Sequence, residues 1–179
     1  MKSLGTVNIV TNRCLLRRFE YRDILNVFNN YSSNKNVSKY LTNEPHKGVY
    51  ETEYMIGDFI RNYNNLNYYN WVIVDKYNND VIGTISLHEI DLYNDKGEIG
   101  IIISPKYQNK GYAKEVIQTI INFAFFELEI NRLEYKALKD NISSNKLASK
   151  VGLIFEGVIH SIVKKNNEYL DVNLYYLIK

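Results

Sequence analysis

The chain has 179 residues, 45% hydrophobic and 23% charged, and its 22 Lys and Arg against 20 Asp and Glu give a formal charge of +2. That length suits one core, the composition is far from that of a disordered chain, and the small, dispersed charge leaves no footprint for nucleic acid. One cysteine, Cys14, excludes an internal disulfide and a cysteine-rich zinc cluster, and no apolar leader or run of 18 apolar residues occurs, so we expect one cytoplasmic domain over residues 1–179, with no membrane and no metal.

In chain order, Cys14 to Phe19 predicts a short strand, and Tyr21 to Tyr31 a helix with Ile24, Leu25, Val27 and Phe28 at helical spacing. Thr52 to Tyr63 predicts a second helix that turns Met55, Phe59 and Ile56 inward. Trp71 to Val74, Val81 to Leu87 and Glu98 to Ile103 are rich in β-branched residues and read as an antiparallel meander, with turn chemistry from Asp75 to Asp80. The period then changes. Val116, Ile117, Ile120, Ile121, Ala124 and Leu128 recur every three or four residues, predicting an amphipathic helix from Lys110 to about Glu127. Leu133 to Leu138 returns to strand, Ser143 to Lys150 is helical, and Leu153 to Val163 with Leu170 to Ile178 form a closing hairpin. Strands, helix, strand, helix, strands is the order of an α+β domain with a mixed sheet.

The stretch Ile101-Ile102-Ile103-Ser104-Pro105-Lys106-Tyr107-Gln108-Asn109-Lys110-Gly111-Tyr112-Ala113 is a strand, a proline stop and a loop opening the long helix. The first turn of a helix carries unpaired amides and the positive end of the macrodipole, so this loop suits a phosphate. It is neither a Walker loop nor a dinucleotide GxGxxG fingerprint, which argues against ATP and NAD. The pattern Gln108-Asn109-Lys110-Gly111-Tyr112-Ala113 resembles the GNAT superfamily signature Gln/Arg-x-x-Gly-x-Gly/Ala. Asn141-Ile142-Ser143-Ser144 followed by Val151-Gly152-Leu153, at the family's spacing of about thirty residues, extends the resemblance over nearly the whole chain.

The resemblance implies the GNAT fold, a mostly antiparallel central sheet flanked by helices, and transfer of the acetyl group of acetyl-coenzyme A directly to an amine acceptor. By the same resemblance, Gln108, Asn109, Lys110, Gly111, Tyr112 and Ala113 hold the pyrophosphate. Ile101, Ile102 and Ile103 offer their backbone to the pantetheine as to an added strand, where an amide near Ile103 polarises the thioester carbonyl, and Asn141 bonds the pantetheine arm. Glu98 is the candidate base, with His88 and Glu89 weaker candidates more readily explained as structural. Many family members carry an acid tyrosine seven residues after the asparagine; that position is Ala148. Members similar to the ribosomal-protein N-terminal acetyltransferases carry a serine three residues after it instead, which is Ser144, and Ser144 is the candidate acid or thiol hydrogen-bond donor. A plain helix cap by Ser143 or Ser144 is the alternative. The Ser144 and Ala148 pattern favours a protein or peptide N-terminal amine over a polyamine, antibiotic or amino acid. A coenzyme-binding module without catalysis, or an unrelated phosphate-binding module, are the readings from other classes, and a homodimer through the last strands is compatible with the sequence.

Overall fold

The computed structural model describes all 179 residues. Eight strands form one sheet: β1 Ile9–Val10, β2 Cys14–Arg17, β3 Tyr69–Asp75, β4 Val81–Asp91, β5 Lys96–Ile103, β6 Arg132–Leu138, β7 Ile154–Lys165 and β8 Glu168–Ile178. Their spatial order is β1-β2-β3-β4-β5-β6-β8-β7, and every neighbouring pair is antiparallel except β5 with β6. That parallel pair needs a crossover, which the helix α4 Tyr112–Asn122 supplies. Before it come α1 Ile24–Val27, α2 Lys35–Ser38 and α3 Val49–Asn62; after β6 comes α5 Ile142–Lys150. No helix is long and apolar enough to cross a membrane.

Period-two alternation divides the sheet into two faces. Trp71, Ile73, Ile85, Leu87, Ile99, Ile103, Leu133 and Tyr135 belong to a 27-residue core with Val116, Ile117 and Ile120 of α4 and Ala148 of α5. Val72 and Val74 on the other face, with Val81, join Phe19, Val27, Tyr31 and Ile56 in an eight-residue core under α1 and α3. The strand segments expected from sequence all form, and the α+β expectation holds.

The differences lie at helix and strand ends. The Tyr21–Tyr31 segment is a 3₁₀ turn at Tyr21–Asp23, then α1, then a π turn at Phe28–Ser32. The Lys110-to-Glu127 helix starts at Tyr112 and closes as a π turn over Phe123–Glu127. Within this wider turn Phe123, Ala124 and Phe125 are buried in succession and Phe126 is exposed. The last hairpin closes on two residues, Asn166 (φ 49°) and Asn167 (φ 64°), so its strands run to Lys165 and Glu168. Paired left-handed residues match the twist of antiparallel strands, and asparagine tolerates that conformation.

Gly83 of β4 faces Ile103 of β5, and a Cβ there would run into the Ile102 carbonyl oxygen. Gly83→Ala should lower stability by about 1–3 kcal/mol through forced backbone movement, measured by urea denaturation. Wild-type stability would show that β5 has slack at this point.

Candidate active site

The central sheet is interrupted along one line. β5 and β6 pair only at Lys96↔Arg132, Gly97↔Leu133 and Glu98↔Glu134. Beyond Glu98, β5 stays on β4 as far as Ile103, while β6 stays on β8 as far as Leu138. The two strands therefore diverge and open a cleft with its vertex at Glu98. The Ser104 amide donates to the Ile82 carbonyl across β4. By the alternation of antiparallel ladders, Gly100 and Ile102 then turn their backbone groups to β4, and Ile99, Ile101 and Ile103 turn theirs into the cleft. One of these groups has found a partner already, since the Gln108 side chain donates to the Ile103 carbonyl at 2.9 Å.

The loop after β5 stands at the mouth of the cleft. Pro105–Tyr107 makes a 3₁₀ turn, Asn109 (φ 59°) and Gly111 (φ 83°) are left-handed, and Gly111 caps α4. The first α4 bond is Glu115 N–H to Gly111 C=O, so the amides of Tyr112, Ala113 and Lys114 point out of the helix end without an internal acceptor. Residues 108–111 are exposed. The arrangement suits a phosphate, with the macrodipole and a lysine at position 110 adding positive potential.

Two residues that sequence reasoning did not single out hold this loop. Arg13 donates from Nη1 to the Lys110 carbonyl at 2.9 Å and from Nε to Glu115 at 2.7 Å, and its guanidinium lies 4.2 Å from the centroid of the Tyr112 ring. Glu115 also accepts from Thr11 Oγ1 at 2.6 Å and the Arg13 amide at 2.7 Å. Burial pushes the Glu115 carboxyl up, but these hydrogen bonds outweigh it and hold the group below the usual carboxylate range. Tyr107 is tied to Asp80 at 2.7 Å, and Tyr112 to Asp75 at 2.9 Å. No sequence signal marks Arg13, because its partners lie about a hundred positions away.

Across the cleft, α5 is preceded by its cap, Asn141. The Asn141 Oδ1 accepts from the Ser144 amide at 3.2 Å, so the asparagine, not a serine, supplies the cap. The Ser144 hydroxyl is free of the cap and lies 2.7 Å from the Tyr135 hydroxyl. Ala148 is fully buried.

Glu98 sits at the vertex on the opposite face of the sheet from Tyr135. Its carboxylate meets Lys136 Nζ at 2.6 Å and His88 Nε2 at 3.4 Å. Burial raises the Glu98 carboxyl, yet the bonds from His88 and Lys136 win and place it below the usual range. His88 Nδ1 lies 3.3 Å from Ser86 Oγ. Next to it, Glu89 is held at φ 49° where the β4–β5 register shifts, a bulge that re-aims the side chains beside it. Cys14 is buried with its thiol pushed up to about 11, chiefly by that burial, and lies outside this group.

Beyond the C-terminal end of β6 lies a cavity of ≈ 540 Å³, lined by Lys39, Tyr40, Leu138, Lys139, Asp140, Tyr169, Leu170 and Asp171. Lys165 at the end of β7 donates to the carbonyls of Ser38, Lys39 and Leu41, tying the segment after α2 to the last hairpin. Residues just after α2 and residues of β8 thus share this cavity.

A family model described as "Acetyltransferase (GNAT) domain" matches residues 13–154. The chain is 25% identical to the spermidine N(1)-acetyltransferase of Vibrio cholerae over 170 residues, 95% of each protein. It is 33% identical to the ribosomal-protein-serine acetyltransferase of Escherichia coli over 96 residues, 54% of each. Among solved structures, a GNAT-family acetyltransferase from Bacillus anthracis superposes with a TM-score of 0.85 at 27% identity, covering 96% of this chain and 98% of that one.

The brace around Glu115 yields a prediction with a defined sign. A depressed folded-state carboxyl contributes stability above the usual carboxylate pKa and loses it as pH falls through the folded value. Glu115→Gln should therefore cost about 1.5–3 kcal/mol at neutral pH and weaken acetyl-coenzyme A binding, with the stability difference closing as pH falls toward 3. Denaturation at several pH values checks it; a gap that widens in acid would contradict the assignment.

Proposed function

We propose that this chain, which belongs to the GNAT acetyltransferase family and is an acetyl-coenzyme A-dependent N-acetyltransferase, acts on the N-terminal amine of a protein or peptide. The charge of the acceptor cavity carries this reading. A polyamine needs several free carboxylates, whereas this cavity holds Lys39 and Lys139 against Asp140 and Asp171. Asp171 is already engaged by His160 at 3.0 Å, by the Ser161 amide at 3.0 Å and by Lys139 at 3.6 Å. One acceptor ammonium suits that balance better than several.

The residues fit acetyl-coenzyme A on three independent features: the open backbone of β5, the outward amides at the start of α4, and Gly111 in a conformation that spares the loop a side chain. Gln108 through Ala113 hold the pyrophosphate, Ile101 to Ile103 take the pantetheine as an added strand, and the Asn141 Nδ2, which has no protein partner, bonds the arm. The Ile101 and Ile103 amides point into the cleft, and the one facing the thioester carbonyl stabilises the charge that develops on its oxygen.

An α-amino group, with a pKa of about 7.7–8.0, offers far more neutral amine at pH 7 than a lysine near 10.4. Glu98 serves as the base with His88. Its depressed carboxyl is a weak proton acceptor alone. When it accepts from His88 Nε2–H, however, the lone pair stays on Nδ1, and Glu98 stabilises the imidazolium formed as the amine loses its proton. Ser144 donates a hydrogen bond to the departing sulfur from the other face.

Thiol release is the assay. N-terminal peptides should turn over at least tenfold faster than spermidine at equal concentration; preference for spermidine would reverse the acceptor assignment. Ser144→Ala should lower kcat by about tenfold, the worth of one hydrogen bond of about 1.4 kcal/mol, with acetyl-coenzyme A affinity unchanged. His88→Ala should reduce kcat/KM by about 10²-fold, the size of a general-base contribution, and least at high pH, where the amine deprotonates unaided.

A further inference from the structure

We infer that Tyr135, a buried residue of β6, is a positioning residue that fixes the direction in which the Ser144 hydroxyl donates. The inference rests on the reading of Ser144 as donor to the leaving sulfur. Tyr135 is 4% exposed, and its hydroxyl has one hydrogen-bond partner, the Ser144 Oγ at 2.7 Å. Ser144 in turn bonds nothing else through its side chain, although a helical serine can turn back to the carbonyl one turn earlier.

Two hydroxyls in contact share one hydrogen bond, so one donates and the other accepts. If Ser144 donated inward, the Tyr135 proton would be left in an apolar interior with no acceptor, at the cost of an unmade buried hydrogen bond. The stable arrangement has Tyr135 donating to Ser144 Oγ. That leaves the half-buried Ser144 with its own proton free to point away from the core. Donation into Ser144 also polarises its O–H, strengthening the outward bond.

Burial pushes the Tyr135 hydroxyl up from its ordinary value. It stays protonated throughout the working pH range, so the pair works by hydrogen bonding and neither hydroxyl gives up its proton. As the amine nitrogen bonds to the thioester carbon, the C–S bond breaks with its electron pair on sulfur. The thiolate leaves under the Ser144 O–H and takes a proton from solvent on release, while the amine proton goes to His88. Tyr135 and Lys136 are consecutive on β6 and point to opposite faces. The donor pair and the His88, Glu98, Lys136 group therefore flank the same vertex from either side of the sheet, with thiolate departure on one face and amine deprotonation on the other.

The test is Tyr135→Phe, which keeps the ring and removes the donor. The expected result is a kcat about tenfold lower, an unchanged KM for acetyl-coenzyme A, and no further loss when Ser144→Ala is added. The pKa of the coenzyme A thiol in the binary complex, followed by thiolate absorbance at about 240 nm, should rise in the variant, because a weaker donor stabilises thiolate less. A purely structural role for Tyr135 would leave that thiol pKa where it is in the wild type. Wild-type kcat and thiol pKa in Tyr135→Phe, with Ser144→Ala still slow, would overturn the role of Tyr135 alone. Wild-type turnover in Ser144→Ala would instead remove the donor reading on which it stands.

Discussion

A β-sheet satisfies its backbone by pairing each strand on both sides, and this one stops doing so in its middle. β5 and β6 share three rows of pairs and then part, leaving the amide and carbonyl of Ile101 and the amide of Ile103 facing a cleft instead of a neighbour, while the Ile103 carbonyl is taken by the Gln108 side chain. An unmade hydrogen bond in a buried setting costs about 1–3 kcal/mol per group. Such an interior edge persists only if water or a ligand completes it. In the proposed function a ligand with amide groups along its length enters that opening as a ninth strand, with its reactive end at the vertex, where Glu98 still pairs with Glu134.

The opening is held by contacts on its outer sides. β5 is pressed to β4 by the Gly83 approach, and β6 is drawn to β8 over seven consecutive rows from Arg132↔Ile178 to Leu138↔Val172. Arg132 adds bonds to Glu134 and Glu156 where the strands are still together. At the mouth, the Arg13 and Glu115 pair ties the phosphate loop to the first hairpin of the chain, so the anion site rests on β1 and β2 as well as on α4. In the proposed function these donors are preorganised for the shape and charge of the ligand.

Much of this was legible in the sequence. β-branched richness in Trp71–Val74 and Val81–Leu87 marked strands, and in β3 both faces are buried, Trp71 and Ile73 in one core and Val72 and Val74 in the other. The spacing of Val116, Ile117, Ile120 and Ile121 marked α4, whose stripe faces one core. Gln108 through Ala113 marked the loop, because they stand between a strand and an amphipathic helix in a pattern that resembles the GNAT signature. What escaped was non-local or irregular. β1 has only two residues, too few to show a period. The π turns at Phe28–Ser32 and Phe123–Glu127 break the 3.6 rhythm that announces a helix. Arg13 and Glu115 meet across 102 positions, and Tyr135 reads in sequence as one more core aromatic until α5 brings Ser144 within 2.7 Å of it. The alternative reading of Ser143 or Ser144 as the cap of α5 does not hold, because Asn141 takes that role and leaves the Ser144 hydroxyl to Tyr135.

The most direct measurement is amide hydrogen exchange at Ile101 and Ile103, resolved by NMR, with and without acetyl-coenzyme A. In the free protein these two amides have no strand partner on the β6 side, so they should exchange faster than those of Gly100 and Ile102, which pair with β4. On binding, at least one of the two should slow by an order of magnitude or more, while Gly100 and Ile102 change little. Protection confined to residues 108–114, with Ile101 and Ile103 unchanged, would contradict the account: the coenzyme would then be held by the phosphate loop alone, and the parted strands would not be its seat.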